Sequence, residues 1–162
     1  MKKYKWHIFG VNLIIVLAFF NYSIIKKETL LSNGELILLE LAPVDPRSLL
    51  QGDYMILDYE IATGINHDSI PKRGYCVVTL KENNVAKRVR LQEGKTPVYD
   101  NEYLIRYSQG DWRDIHIGAE SYFFQEGDGE KYEEAEYGGI KVDKEGNNVL
   151  VGLYDKTFKK IE

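Results

Sequence analysis

A single cysteine, Cys76, stands among 162 residues, so no intramolecular disulfide can staple the chain and the core must carry stability alone. It sits in the apolar run YCVVTL, where an unpaired cysteine reads as a small buried hydrophobe rather than a reactive thiol. Histidine is almost as scarce. His7, His67 and His116 are isolated from one another and neither HExxH nor CxxC spacing occurs, which leaves a zinc site without ligands. There is no glycine-rich phosphate loop, no Ser-His-Asp order and no paired-acid signature. No linker, internal repeat or low-complexity tract divides the chain, so one compact domain with an appendage is expected. Basic charge is also short. Setting aside the five lysines of residues 1–27, 16 basic side chains face 25 acidic ones, a formal charge of −9 that argues against a nucleic-acid partner.

What the chain has in excess is apolar sequence at its start. Ile8 to Ile25 reads IFGVNLIIVLAFFNYSII, with Lys2, Lys3 and Lys5 before it and Lys26 and Lys27 after it. A helix of ~17 to 25 such residues crosses the hydrocarbon core of a bilayer. A cleaved signal peptide has a shorter apolar region followed by a small-residue site, and no such site follows here. Residues 8–25 are therefore predicted to hold the lipid bilayer as an uncleaved single-pass anchor in the cytoplasmic membrane. The lysine excess on the N-terminal side orients that terminus to the cytoplasm and the remainder outside it. The domain boundaries that follow are 1–33 for a cytoplasmic stub, span and juxtamembrane turn, and 34–162 for an extracytoplasmic β domain. Lys26 to Ser32 continues the helix, and Asn33-Gly34 is expected to end it with glycine in the left-handed conformation.

Beyond residue 34 the periodicity changes to that of strands. Glu35 to Leu41 is an apolar run closed by Ala42-Pro43, and Asp45-Pro46 opens a turn or two of helix that Gly52 ends. Asp53 to Ile61 alternates, with Met55, Leu57, Tyr59 and Ile61 on one face and Tyr54, Ile56, Asp58 and Glu60 on the other, as in a half-buried strand. Tyr75–Glu82 and Val85–Leu91 flank Asn83-Asn84 as a hairpin. Tyr103–Tyr107, Asp114–Ile117 and Ser121–Gln125 read as further strands, with Ile115 and Ile117 inward. The acidic segment Glu126–Tyr137 reads as a short helix with Tyr132 on its inner face, ended by Gly138-Gly139. Ile140–Asp143 and Val149–Tyr154 form a second hairpin. The predicted fold class is mainly β: antiparallel, about eight short strands, one or two minor helices, and an N-terminal transmembrane helix.

Few side chains invite chemistry. Tyr54, Asp58 and Glu60 form the outward polar row of the alternating segment and are candidate binding residues. Trp112, an aromatic in the polar turn Asp111-Trp112-Arg113-Asp114, is the fourth, suited to stacking on a sugar or anchoring a partner. Glu126, Asp128, Glu130, Glu133, Glu134 and Glu136 lack the alternating ligands and central glycine of a calcium loop, and a solvated acidic face accounts for them. No metal or cofactor is expected.

The residues Gly52, Asp53, Tyr54, Leu57 and Tyr59 compose a complete G-D-Y-x-x-L-x-Y pattern. With PVDPRSLLQ upstream, AESYFFQEGDGEKYEEAEYGGIKV from Ala119 to Val142, and the closing LVGLYD, the chain resembles the bacterial GDYXXLXY proteins over about Leu36 to Asp155. The resemblance implies one N-terminal membrane segment and a neighbouring polytopic membrane protein, and supplies no catalytic residue. PRSLLQGDYMIL also looks like the segment after the nucleophile of type I signal peptidases, but Val44 falls where their serine would be and cannot act as a nucleophile. The expected function is a non-enzymatic accessory or interaction subunit of an integral membrane partner. An extracytoplasmic ligand-binding module for glycan or a small solute is the alternative, and a hydrolase the third reading.

Overall fold

The computed structural model describes residues 3–42, 54–66, 70–110, 114–125 and 127–162. The chain begins with α1 (Lys3–Asn33), a continuous helix of 31 residues. It is long and apolar enough to cross a membrane, and none of its most apolar stretch is buried against the rest of the chain. The described residues then contribute nine strands: β1 (Glu35–Glu40), β2 (Tyr54–Ile56), β3 (Arg73–Leu80), β4 (Ala86–Gln92), β5 (Glu102–Gln109), β6 (Ile115–His116), β7 (Ser121–Phe123), β8 (Tyr137–Val142) and β9 (Asn148–Tyr154). A single helical turn, α2 (Gly129–Tyr132), precedes β8.

The strands pair antiparallel in three sheets, ordered β1-β8-β9, β2-β7 and β4-β3-β5-β6. β3 is the centre of the largest. Its Cys76, Val77 and Val78 are fully buried, so both faces of the strand are covered, which explains a continuous apolar run where a one-sided sheet would alternate. The main core gathers Ile37 and Leu39 of β1, Cys76 and Val78 of β3, Ile105 of β5, Ile140 of β8 and Leu153 of β9. No polar or charged residue is buried as a whole among the described residues.

Both expected hairpins form, each for a local reason. Asn83 and Asn84 adopt φ of 59° and 60°, the pair of left-handed residues that a two-residue hairpin turn demands and asparagine tolerates. Between β8 and β9, Asp143 Oδ1 accepts from the backbone N–H of Glu145 at 3.0 Å and of Asn147 at 2.8 Å, so one carboxylate organises the whole turn.

The join between α1 and the domain is tight. Gly34 N donates to Leu30 O at 2.9 Å, Lys141 Nζ of β8 donates to Gly34 O at 2.8 Å, and Leu30 is buried. The helix stops where the sequence predicts, but Gly34 is not left-handed. It is required for space, because a Cβ there would lie 3.2 Å from Cβ of Lys141 and closer still to Leu30 O.

Three further expectations are corrected. The segment 53–61 is not one strand: β2 lasts three residues against β7, Tyr59 forms a lone bridge to Leu41, and Glu60–Ala62 is a 3-10 turn. The acidic segment is helical for four residues only, pinned by Tyr132, whose ring meets those of Tyr122 at 5.0 Å and Phe124 at 5.5 Å. Gly138-Gly139 does not end a helix but lies inside β8, and the reason is two tyrosines. A Cβ on Gly138 would stand 2.7 Å from the ring of Tyr59, and one on Gly139 would collide with the ring of Tyr154. Tyr59, 1% exposed, also donates its hydroxyl to Ala119 O at 2.6 Å. Burial, with the charge of Glu120 adding, keeps that hydroxyl protonated far above the usual phenol range.

This packing predicts a coupled pair. Gly138→Ala forces a methyl into the space of the Tyr59 ring and should cost about 1–3 kcal/mol, the usual range for overpacking. The added cost should shrink towards zero in a Tyr59→Leu background, where the ring is gone. Thermal unfolding of the full chain in mild detergent, followed by near-ultraviolet circular dichroism, measures both. An equal cost in the two backgrounds would mean that the ring is not what the methyl meets.

Candidate functional site

The alternating segment delivers its residues to two places rather than one. Met55, Leu57, Tyr59 and Ile61 are all buried, as expected, and Tyr54, Ile56, Asp58 and Glu60 are all exposed. The end of β2 at Ile56 breaks the outward row in the middle. Tyr54 and Ile56 stay on the outer face of the β2-β7 ribbon, where Tyr54 lies opposite Phe123 and their rings approach to 5.7 Å. Phe123 is 73% exposed and Ile56 52%, so this face is an apolar patch with a tyrosine at its edge, not a polar row.

Asp58 and Glu60 lie beyond that ribbon. The backbone carbonyl of Asp58 accepts from Ala42 N at 2.8 Å. The bridge between Leu41 and Tyr59 brings their neighbours Glu40 and Glu60 together, and these two carboxyls share a hydrogen bond. Partial burial, then the charge of Glu60 and the shared bond, raise the Glu40 carboxyl above the ordinary value. Trp112, Gly52 and Asp53 lie outside the described residues, as do His67 and the expected helical turn after Asp45.

Other groups have structural surroundings. Cys76 is fully buried, and that burial pushes its thiol up to about 12, which leaves no thiolate at neutral pH. His116 is exposed, with Nδ1 3.9 Å from the carboxylate of Glu120. Among the described residues, no three His, Cys, Asp or Glu side chains stand close enough together to hold a metal ion.

Two features escaped the sequence reading. One is Phe123, which completes the apolar patch; its alternation with Tyr122 in the run SYFF was the available signal. The other is a clamp around loop 93–101. Arg90 of β4 meets both carboxylate oxygens of Glu102 on β5, at 2.5 and 2.8 Å, and donates to Pro97 O at 2.8 Å. Tyr99 N donates to the same carboxylate at 3.0 Å, and the guanidinium lies over the Tyr99 ring at 5.4 Å. The hydrogen bond from Arg90 holds the Glu102 carboxyl below its usual range. Nothing local in the sequence announces a pair twelve positions apart on the two strands that flank β3.

The Glu40–Glu60 contact carries a pH prediction. A carboxyl whose folded pKa is raised contributes stability at acid pH that is lost as pH rises through the folded value. Glu40→Gln should therefore raise the unfolding midpoint at pH 7 and change it less at pH 3.5, where the raised Glu40 carboxyl already holds its proton. Thermal melts of the two proteins at the two pH values test it, and a gain of the same size at both would exclude the shared proton as its origin.

No curated protein and no solved structure matches the chain. The family model described as "GDYXXLXY protein" matches residues 16–153. That span begins inside the apolar run, well before the expected Leu36, and takes in the α1 join, Tyr59 and the two glycines of β8 that receive tyrosine rings. With most of its length matched, the chain belongs to the GDYXXLXY protein family.

Proposed function

We propose that this protein is a non-enzymatic accessory subunit, anchored by α1 as a single span of the cytoplasmic membrane, whose β domain presents the Tyr54–Ile56–Phe123 face to a polytopic membrane partner. The observation that carries the reading is this apolar face on a domain joined to α1 without a flexible tether. Large exposed apolar side chains that are contiguous mark contact surfaces in soluble domains. An aromatic pair of this kind is the usual anchor of a protein interface. The join through Gly34, Leu30 and Lys141 fixes the height and orientation of the face above the span. A partner embedded in the same bilayer then meets it at high effective concentration, so a modest contact area suffices.

The lysine asymmetry around residues 8–25 supports a cytoplasmic N-terminus and an extracytoplasmic domain. A −9 body is repelled from anionic lipid, which favours a protein surface over the bilayer as the partner of the upper domain.

The test places a photo-crosslinking residue at Phe123 in the full chain, in membranes of cells that express the neighbouring genes. The expected product is one crosslinked polytopic membrane protein, which also co-purifies in mild detergent. Phe123→Glu should reduce that co-purification at least about tenfold, since a buried unpaired charge at an interface costs more than 1.4 kcal/mol. A protein that crosslinks to nothing and elutes alone rules the reading out.

A further inference from the structure

A groove of about 900 Å³ separates the last turns of α1 from the β domain. Tyr22, Ile25, Lys26 and Leu30 line it from the helix, at the three- and four-residue spacing of a single helical face. The opposite wall comes from two loop tips, the turn Asp143–Glu145 and loop 93–101, the latter through Lys95 and Val98. Tyr22 and Ile25 belong to the last turn of the apolar run. From Ile25 to the end of the helix at Asn33 is eight residues, a rise of about 12 Å. Loops that wall a groove reaching down to Tyr22 therefore hang beside the helix, below the point where the domain is attached.

The two tips differ in chemistry. Asp143–Glu145 is charged throughout, whereas loop 93–101 exposes Val98 at 41% and Tyr99 at 65%. These apolar groups are held out rather than left to collapse. Arg90 grips Pro97 O and Glu102, and Gln92 Nε2 donates to Gly94 O at 2.9 Å and Pro97 O at 3.2 Å. A loop fixed in this way has lost its conformational freedom before it binds anything. Tyrosine favours the boundary between hydrocarbon and headgroups, and a lysine beside it reaches its ammonium back to water. The groove itself mixes Lys26, Lys95 and Lys144 with Glu35, Asp143 and Glu145, so its attraction to lipid does not depend on anionic charge.

We propose that loop 93–101 is a second membrane contact, in which Val98 and Tyr99 enter the headgroup layer of the leaflet nearest the domain and the groove between them and α1 is filled by phospholipid. The proposal rests on α1 being a membrane span. It is independent of the partner face at Tyr54 and Phe123, and it fixes the tilt of the domain by a second point of support.

The full chain in phosphatidylcholine vesicles tests it, with a nitroxide at Val98→Cys, Tyr99→Cys or, as a reference far from the groove, Phe123→Cys. Cys76 is buried and does not label. Collision with oxygen relative to a water-soluble nickel chelate should be several-fold higher at 98 and 99 than at 123. Arg90→Gln should bring the loop values towards the reference. Equal ratios at all three sites, in protein that stays with the vesicles after alkaline washing, overturn the loop contact and leave the anchor standing. Protein released by the wash overturns the anchor and the loop together. Labels at 98 and 99 shielded from both reagents mark a protein contact and overturn the lipid assignment.

Discussion

The ring of Tyr59 is the constraint on which the rest of the domain depends. One residue touches three separate parts of the chain: its backbone bridges to Leu41 after β1, its ring occupies the space that Gly138 of β8 leaves open, and its hydroxyl donates to the carbonyl of Ala119 before β7. Each contact spans a large separation in sequence, so a single residue closes several long loops at once. Tyr154 over Gly139 repeats the device one position along β8. The pair of glycines lets the three-stranded sheet carry two large rings where side chains would otherwise stand, and the last letter of the family motif is thereby a packing residue. Leu57 and Met55 complete the same inner row.

Strand-like apolar runs between turn residues were enough to find β1, β3, β4, β5 and β9, and the turn residues Asn83-Asn84 and Lys144–Asn148 were enough to pair β3 with β4 and β8 with β9 as hairpins. These signals are local, and local geometry enforced them. Gly138-Gly139 was misread because the same dipeptide stops a helix or admits a neighbour's ring, and only the tertiary partner decides. The outward row from Tyr54 to Glu60 was legible as exposed but not as divided, since the 3-10 turn at Glu60–Ala62 is held partly by distant groups: Arg88 Nη1 donates to Ile61 O and Thr63 O from β4. The Arg90–Glu102 clamp was missed for the same reason, since its two residues meet only because β4 and β5 flank β3. Residues 155–161 likewise gave no pattern, yet Asp155 folds them back so that Ile161 N bonds Leu153 O.

The site illustrates how a domain without a disulfide or metal-binding cluster among its described residues still carries specific surfaces. A contact face needs side chains that fail to bury, and two such groups stand out beyond α1: Tyr54, Ile56 and Phe123 on the ribbon, Val98 and Tyr99 on the clamped loop. Strand pairing holds the first and an ion pair the second, so each is displayed at small further entropic cost.

Holding the loop with Arg90 and Glu102 rather than with apolar packing has a physical logic near a membrane. An apolar underside would make the loop a core element and leave Val98 and Tyr99 no reason to face outward. A bidentate guanidinium–carboxylate pair instead fixes direction, because its two parallel hydrogen bonds allow little rotation. The side chain of Glu102 is 8% exposed and that of Arg90 28%, so counterions reach the pair mainly from the guanidinium side. On the proposed arrangement the approach of lipid would lower the local dielectric further and strengthen the clamp as the loop seats. The contact and the structure that presents it would then reinforce each other, which a loop held by solvent-exposed hydrogen bonds alone does not achieve.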